Sequence, residues 1–203
     1  MYLLVRGGNS GGEGANEGIG LMASLGTCPA SGTFTQSQPF VFVNEVTTVA
    51  AAYGLAGSAT DATHISGGST DVIAAGMATA ARLASVSTGF VNSRGTTEPS
   101  RRMLHTVANI LAACINSGGS GSGACTTLFA KARSGGATGT IPADTATAAL
   151  NIARNPDANV LDLYDLQPIA APPFLPALAS PPPDFTLASA SGAGGISVAA
   201  LRR

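Results

Sequence analysis

Residues 39–57 read PFVFVNEVTTVAAAYGLAG, an extended apolar run that turns at Asn44 into an Ala-rich helix. Phe40, Val41, Phe42 and Val43 are strand-favouring residues in succession. Asn44 is a suitable N-cap, because its side-chain oxygen can accept from a backbone N–H of the first turn. Beyond it Val46, Val49, Ala50 and Tyr53 fall at i, i+3, i+4 and i+7, one face of a helix. Ala and Gly fill much of the remainder, so neighbours can approach closely while each contact buries little area. A fold organised around such a helix depends on close packing rather than on large side chains.

Helical patterns continue towards the C-terminus. Asp71 can cap a helix with Ile73, Met77, Ala80 and Ala84 aligned, and Ser100 one in which Leu104, Val107, Ala108, Leu111 and Ile115 form a stripe. Thr126–Ala132 and Asp144–Arg154 read as shorter helices, the second broken at Asn155-Pro156. Asp157–Leu166 resumes a helix with Val160, Leu161 and Tyr164 inward. Towards the N-terminus, Tyr2–Val5 reads as a strand and Gly7–Gly14 as a loop. Ala15–Leu25 reads as a short helix with Ile19, Met22 and Leu25 on one face. From Gln167 onward, Pro168, Pro172, Pro173, Pro176 and Pro181-Pro182-Pro183 exclude helix and favour an extended path, anchored by Phe174 and Leu175. Asp184–Ala188 reads as a last strand, expected to pair with the first or with a neighbouring domain.

The fold class expected is therefore α+β, mainly α: a single helical domain with short strands near both termini and a Pro-rich extended C-terminal arm. Its parts are a helical domain over 1–166, an arm and terminal strand packed on it over 167–190, and a linker or disordered tail over 191–203.

The composition narrows the function classes. Of 203 residues, 45% are hydrophobic but only 10% are charged, and the net charge is -1 with a single lysine, Lys131. Such a surface offers no basic patch to neutralise phosphates, so no nucleic-acid partner is expected. Every apolar run is broken well before the roughly 20 residues that span a bilayer. No signal peptide is visible: Met1–Arg6 lacks the basic start and apolar region of one. A chain that opens inside a strand and closes on a Gly/Ser-rich linker reads as a piece of something larger.

Cys114 and Cys125 flank the loop 115–124, which holds Gly118-Gly119-Ser120-Gly121-Ser122-Gly123 and brings its ends together easily. Closing a loop of this size by a disulfide would stabilise the fold by about 3 kcal/mol in the chain-entropy model. The other reading is two unrelated buried thiols in a reducing compartment. Cys28 is left over, free or paired outside the chain, and no Cys/His spacing matches zinc.

Candidate chemistry is sparse. Gly8-Asn9-Ser10-Gly11-Gly12 satisfies G-x-S-x-G, a nucleophile pattern that needs a strand-to-helix turn and a histidine, here only His64 or His105. In a chain this rich in Gly and Ser, chance accounts for it. Gly12, Gly14 and Gly18 followed by Glu45 outline a dinucleotide site without its strict spacing. Asp157, Asp162 and Asp165 form an acidic edge that reads as solvated rather than as a calcium loop. Arg101 and Arg102 read as a solvated pair at a helix start, and His105 as a residue beside its helix's apolar stripe. No cofactor or metal is expected.

Several segments together carry a resemblance. They are Tyr2-Leu3-Leu4-Val5 with Gly7-Gly8-Asn9, Leu21-Met22-Ala23-Ser24-Leu25-Gly26-Thr27-Cys28, and Val43-Asn44-Glu45-Val46-Thr47-Thr48-Val49-Ala50. Then come Ala108-Asn109-Ile110-Leu111-Ala112-Ala113-Cys114-Ile115-Asn116-Ser117, Cys125-Thr126-Thr127-Leu128-Phe129, and Ala148-Ala149-Leu150-Asn151-Ile152-Ala153-Arg154-Asn155-Pro156. In this order they resemble an uncharacterised module of large exported, cell-surface proteins of Acidobacteria-like bacteria, found upstream of NHL- or YVTN-type β-propeller repeats or near Ig-like domains. The resemblance implies export, a multidomain parent and a paired Cys114/Cys125. The family has no established activity, so it implies no catalytic or binding residue. The end of the chain, Ser197–Arg203, departs from the Gly-rich lead into a propeller.

The expected function is a non-enzymatic structural or interaction module of a secreted or cell-surface bacterial protein, partnered by neighbouring domains. The alternative is an extracellular glycan- or ligand-binding domain, expected to show a groove with Tyr2, Tyr53 or Tyr164 exposed. A serine hydrolase using Ser10 comes third.

Overall fold

The computed structural model describes residues 1–10, 14–34, 40–168, 170–191 and 195–198. Within them the chain is α+β and mainly helical, with six helices and three two-stranded antiparallel sheets. The helix expected after Asn44 is α1 (Glu45–Leu55). The Asn44 side chain accepts from the Thr47 N–H at 2.9 Å and the Thr47 hydroxyl from the Asn44 N–H at 3.0 Å, a reciprocal capping box. Helix α1 is buried on nearly every side. Around it lie α2 (Thr70–Leu83), α3 (Glu98–Ile115), α5 (Thr145–Arg154) and the strand β2 (Gly20–Ser24). The remaining helices, α4 (Gly123–Lys131) and α6 (Val160–Tyr164), lie against α3 and against each other.

Small residues set how close these neighbours come. Gly54 on α1 and Gly76 on α2 face each other so tightly that a Cβ on either would strike the other's carbonyl oxygen. Leu55 and Leu83 are fully buried, as are Leu104, Ile110 and Leu111 on α3 and Leu150 on α5.

The segment read as a helix over Ala15–Leu25 is instead β2, antiparallel to β1 (Tyr2–Arg6), with Leu4 opposite Met22. Two helix starts account for the difference. The Thr145 hydroxyl accepts from the Gly20 N–H at 3.0 Å and donates to the Gly20 carbonyl at 2.6 Å. The Thr48 hydroxyl accepts from the Met22 N–H at 2.8 Å, and the Thr47 hydroxyl donates to the Met22 carbonyl at 3.0 Å. The outer edge of β2 is thus completed by threonine side chains, where a neighbouring strand would otherwise stand. A three-residue apolar spacing is too weak a local signal to resist such pairing. Gly20 is needed at this junction, since a Cβ there would lie 2.6 Å from the Asp144 carboxylate.

Other boundaries shift by a few residues. Helix α2 is capped by Ser69 rather than Asp71, α3 by Thr97 rather than Ser100, and α4 by Ser122 rather than near Thr126. Asp71 lies in the first turn of α2, where its charge favours the helix dipole. Helix α6 is shorter than Asp157–Leu166, and Leu161 is 65% exposed rather than inward, while Leu163 and Tyr164 are buried. Residues 40–43 form no strand, but the Phe42 N–H donates to the Val86 carbonyl at 2.7 Å. A short hairpin, β3 (Ala59–Asp61) with β4 (His64–Ile65), carried no signal in the sequence.

The Pro-rich arm crosses α3 without regular structure, so polar side chains meet its backbone groups. Asn109, buried, accepts from the Phe174 N–H at 2.9 Å and donates to its carbonyl at 3.0 Å. The Thr106 hydroxyl accepts from the Leu178 N–H at 2.9 Å, and the Tyr164 hydroxyl donates to the Leu178 carbonyl at 2.9 Å. His105, expected beside the stripe, is 8% exposed. Its ring stacks on Phe174, and Nδ1 lies 3.0 Å from the Pro176 carbonyl, which fixes Nδ1 as the donor. Phe174 packs on the core as expected, but Leu175 is 65% exposed. The deeper anchors are Phe185 and Leu187, both fully buried, with the Phe185 carbonyl accepting from the Tyr53 hydroxyl at 2.6 Å.

The strand expected over Asp184–Ala188 begins later. It is β5 (Ala188–Ser191), and it pairs with β6 (Gly195–Val198), which falls in the stretch read as a tail. First and last strands do not pair with each other: β1 pairs with β2 and β5 with β6. Phe185 cannot extend the strand because its N–H is committed to the Pro156 carbonyl at 2.8 Å.

Two outcomes follow from this packing. Gly54→Ala is expected to lower stability by about 2 kcal/mol in urea denaturation, whereas Gly118→Ala, with open space around it, changes it little. Burial is the main cause that holds the His105 ring below its ordinary pKa of 6.5. The unfolded chain therefore takes up that proton first, so stability falls as pH drops below 6.5 towards the folded value. Chemical denaturation at stepped pH is expected to show this slope in the wild type and its loss in His105→Gln.

Candidate functional site

A cleft of about 370 Å³ lies between the end of β1, the β3–β4 hairpin and the start of α5. Arg6 enters it from the end of β1, Thr60, Asp61 and Thr63 from the β3–β4 hairpin, and Asp144, Thr147 and Asn151 from α5. The volume lies within the roughly 300–1,000 Å³ of small-molecule sites. Among the described residues no aromatic ring lines it. None of these residues stood out in the sequence as a site, because their spacing matches no motif and only the fold assembles them.

Each polar wall group has a local cause. Asp144 is the N-cap of α5 and accepts from the Thr147 N–H at 2.8 Å. Its other carboxylate oxygen lies 3.7 Å from the Arg6 guanidinium, an ion pair with Arg6 about half exposed. Asp61 turns the β3–β4 hairpin by accepting from the Thr63 N–H at 2.7 Å, the Thr63 hydroxyl at 2.6 Å and the His64 N–H at 3.0 Å. These bonds, the Thr63 hydroxyl first, hold its carboxyl at about 2, well below the ordinary range. Arg154 joins the back of this region to the core, donating to the carbonyls of Ala56 at 3.0 Å and Thr60 at 3.1 Å. Burial pulls its guanidinium pKa down, and the Asp61 charge opposes that pull.

The hairpin holds an Asp, a His and a hydroxyl in contact, so its chemistry can be tested on geometry. His64 Nδ1 lies 2.9 Å from Asp61 and 2.9 Å from the Thr63 hydroxyl. A nucleophile–base–acid relay needs the acid on one ring nitrogen and the nucleophile on the other. Here both meet Nδ1, and no proton can pass through the ring from one to the other. The arrangement is a hydrogen-bonded turn.

The residues singled out in the sequence fall elsewhere. Ser10 donates its hydroxyl to the Ile115 carbonyl at 2.7 Å, while His64 and His105 bond to Asp61 and to Pro176. Gly12 lies outside the described residues. Gly14 and Gly18 lead into strand β2, whereas in a dinucleotide site the glycine-rich turn opens a helix. Arg101 and Arg102 both pair with Glu98, and Asp162 pairs with Lys131 at 3.0 Å. Among the described residues no group of three His, Cys, Asp or Glu is placed to hold a metal ion.

Cys114 and Cys125 form a disulfide that joins the end of α3 to the start of α4, with Cα atoms 4.4 Å apart. Both are fully buried, and Asn16, itself buried, donates to the Cys114 carbonyl at 2.9 Å. Cys28 is a free, exposed thiol. Comparison with protein families, with curated proteins and with solved structures finds no match.

The hairpin is open to a direct check. Following the Asp61 carboxyl by NMR should give a midpoint near 2. Thr63→Ala is expected to raise it more than His64→Ala, because the hydroxyl bond is its largest cause. Stability linked to Asp61 is then complete above the ordinary carboxylate range and is lost as pH falls towards 2.

Proposed function

We propose that this chain is a non-enzymatic structural or interaction module of a secreted or cell-surface bacterial protein, working beside neighbouring domains. The observation that carries the reading is the buried Cys114–Cys125 disulfide at the α3–α4 junction. Structural disulfides persist in oxidising compartments and are rare in reducing ones. The arrangement of polar groups adds to it: the serine and both histidines named above are bonded to backbone carbonyls or to a turn carboxylate. Among the described residues no helix is long and apolar enough to cross a membrane.

Binding of a small extracellular glycan is the second reading, and the hydroxyl-rich cleft between Arg6, Thr60, Thr63 and Asp144 favours it. Against it stands the treatment of the tyrosines. Tyr53 and Tyr164 are buried, and all three tyrosine hydroxyls bond to backbone carbonyls, of Ala62, Phe185 and Leu178. Tyr53 and Tyr164 thus offer no stacking face to a sugar, and Tyr2 is half-buried.

The chain is to be prepared through an oxidising compartment, alkylated without reduction and mapped by peptide mass. One label on Cys28, with Cys114 joined to Cys125, is the expected result. Three labels would remove the observation on which export rests. Cys114→Ser with Cys125→Ser is expected to lower stability by about 3 kcal/mol through loss of loop closure.

A further inference from the structure

The β1–β2 sheet has one finished edge and one open edge. Gly7 N–H donates to the Ile19 carbonyl and Leu25 N–H to the Met1 carbonyl, so the odd-numbered residues of β1 bond across to β2. The N–H and C=O groups of Tyr2, Leu4 and Arg6 therefore point away from β2. Among the described residues nothing bonds to them, and no second strand lies beside β1. The opposite edge, on β2, is completed by the hydroxyls of Thr47, Thr48 and Thr145. Open edges are ordinarily blunted by proline, bulges or several charges. Strand β1 has a regular register, no proline and a single charge, Arg6. On its solvent face it shows Leu3 and Val5, 39% and 45% exposed.

We infer that β1 is a self-pairing edge, whose partner is β1 of a second copy of this chain in antiparallel, two-fold register about Leu4. The sequence Tyr-Leu-Leu-Val-Arg fits this register in each respect. Antiparallel pairing requires the outward-pointing even residues to face one another. Only the register centred on Leu4 lets Tyr2, Leu4 and Arg6 all find partners, each facing pair exchanging both of its N–H···O=C bonds. In that register Leu3 lies opposite the partner's Val5, and Val5 opposite the partner's Leu3. The exposed apolar side chains of both copies then cover each other. Arg6 lies opposite the partner's Tyr2, and the two arginines stand at opposite ends of the seam, so their like charges are kept apart. The product is a four-stranded sheet, β2–β1 followed by the partner's β1–β2. Both of its outer edges are already closed by threonine hydroxyls, so pairing stops at two copies instead of running on into a fibre. A seam this short buries little area, so the dimer is concentration-dependent.

Sedimentation equilibrium in a Cys28→Ser background, which excludes a link through the exposed thiol, tests this over about 10 to about 500 µM. The parent chain is expected to pass from monomer to dimer in that range. A variant with Leu3→Lys and Val5→Lys, and another with Leu3→Glu and Val5→Glu, each place like charges opposite one another. Each is expected to dimerise at least about tenfold more weakly, with an unchanged far-UV circular dichroism spectrum. Mixed in equal amounts, the two variants set lysine opposite glutamate and are expected to recover the dimer. A parent chain that stays monomeric throughout overturns the proposal and leaves the edge to a strand of another protein. Lysine and glutamate variants that dimerise like the parent, or a mixture that stays monomeric, overturn this pairing as well.

Discussion

A helix buried on nearly every side obliges its neighbours to come close and the polar groups at its ends to find partners inside the protein. Helix α1 meets both demands with small residues. Gly54 against Gly76 sets the spacing to α2, and the Asn44–Thr47 capping box satisfies the first turn. The same first turn then serves a second element, because Thr47 and Thr48 turn their hydroxyls onto Met22 of β2. Helix α5 repeats the device with Thr145 and Gly20. The position of the β1–β2 hairpin thus depends on two helix starts, and the helices depend on close approach for their burial. This interdependence ties the small strands to a helical core that contains no sheet of its own.

The arm is held by the same principle applied to a different surface. A proline-rich segment has few N–H groups and makes no ladder, so its carbonyls and remaining amides need partners supplied by side chains. Helix α3 supplies them from the adjacent His105 and Thr106 and, one turn on, from Asn109. Polar residues inside a helix that otherwise reads as apolar are therefore contacts to the arm. Tyr53 extends the set from α1, so the central helix reaches the arm as well as the hairpin.

How much of this was legible follows from what each signal depends on. Helix α1, its cap at Asn44 and the span of α5 were readable because periodicity and capping are local. The disulfide could be anticipated, though not decided, from a flexible loop between two cysteines. Strand β2 was misread because its conformation comes from Thr47, Thr48 and Thr145, up to 125 residues away in the chain. His105 was placed at the margin of its stripe because the surface that covers it is the arm, which sequence periodicity cannot place. The cleft was illegible for the same reason: Arg6, Asp61 and Asp144 belong to three separate elements and share no motif.

The polar groups that resemble catalytic parts show why composition and proximity alone do not establish a reaction. In the β3–β4 turn an aspartate, a histidine and a threonine hydroxyl stand within 3.0 Å of one another. The set is organised around the Asp61 carboxylate, which gathers two backbone amides and a hydroxyl and thereby closes a hairpin. A catalytic set is organised around a place for substrate, with the acceptor and donor on opposite sides of the ring that moves the proton. Here the short distances gather on one carboxylate, and the Thr63 hydroxyl and Asp61 meet the same ring nitrogen of His64. The same contacts that would suggest chemistry are accounted for by the need of a two-residue turn to satisfy its own backbone.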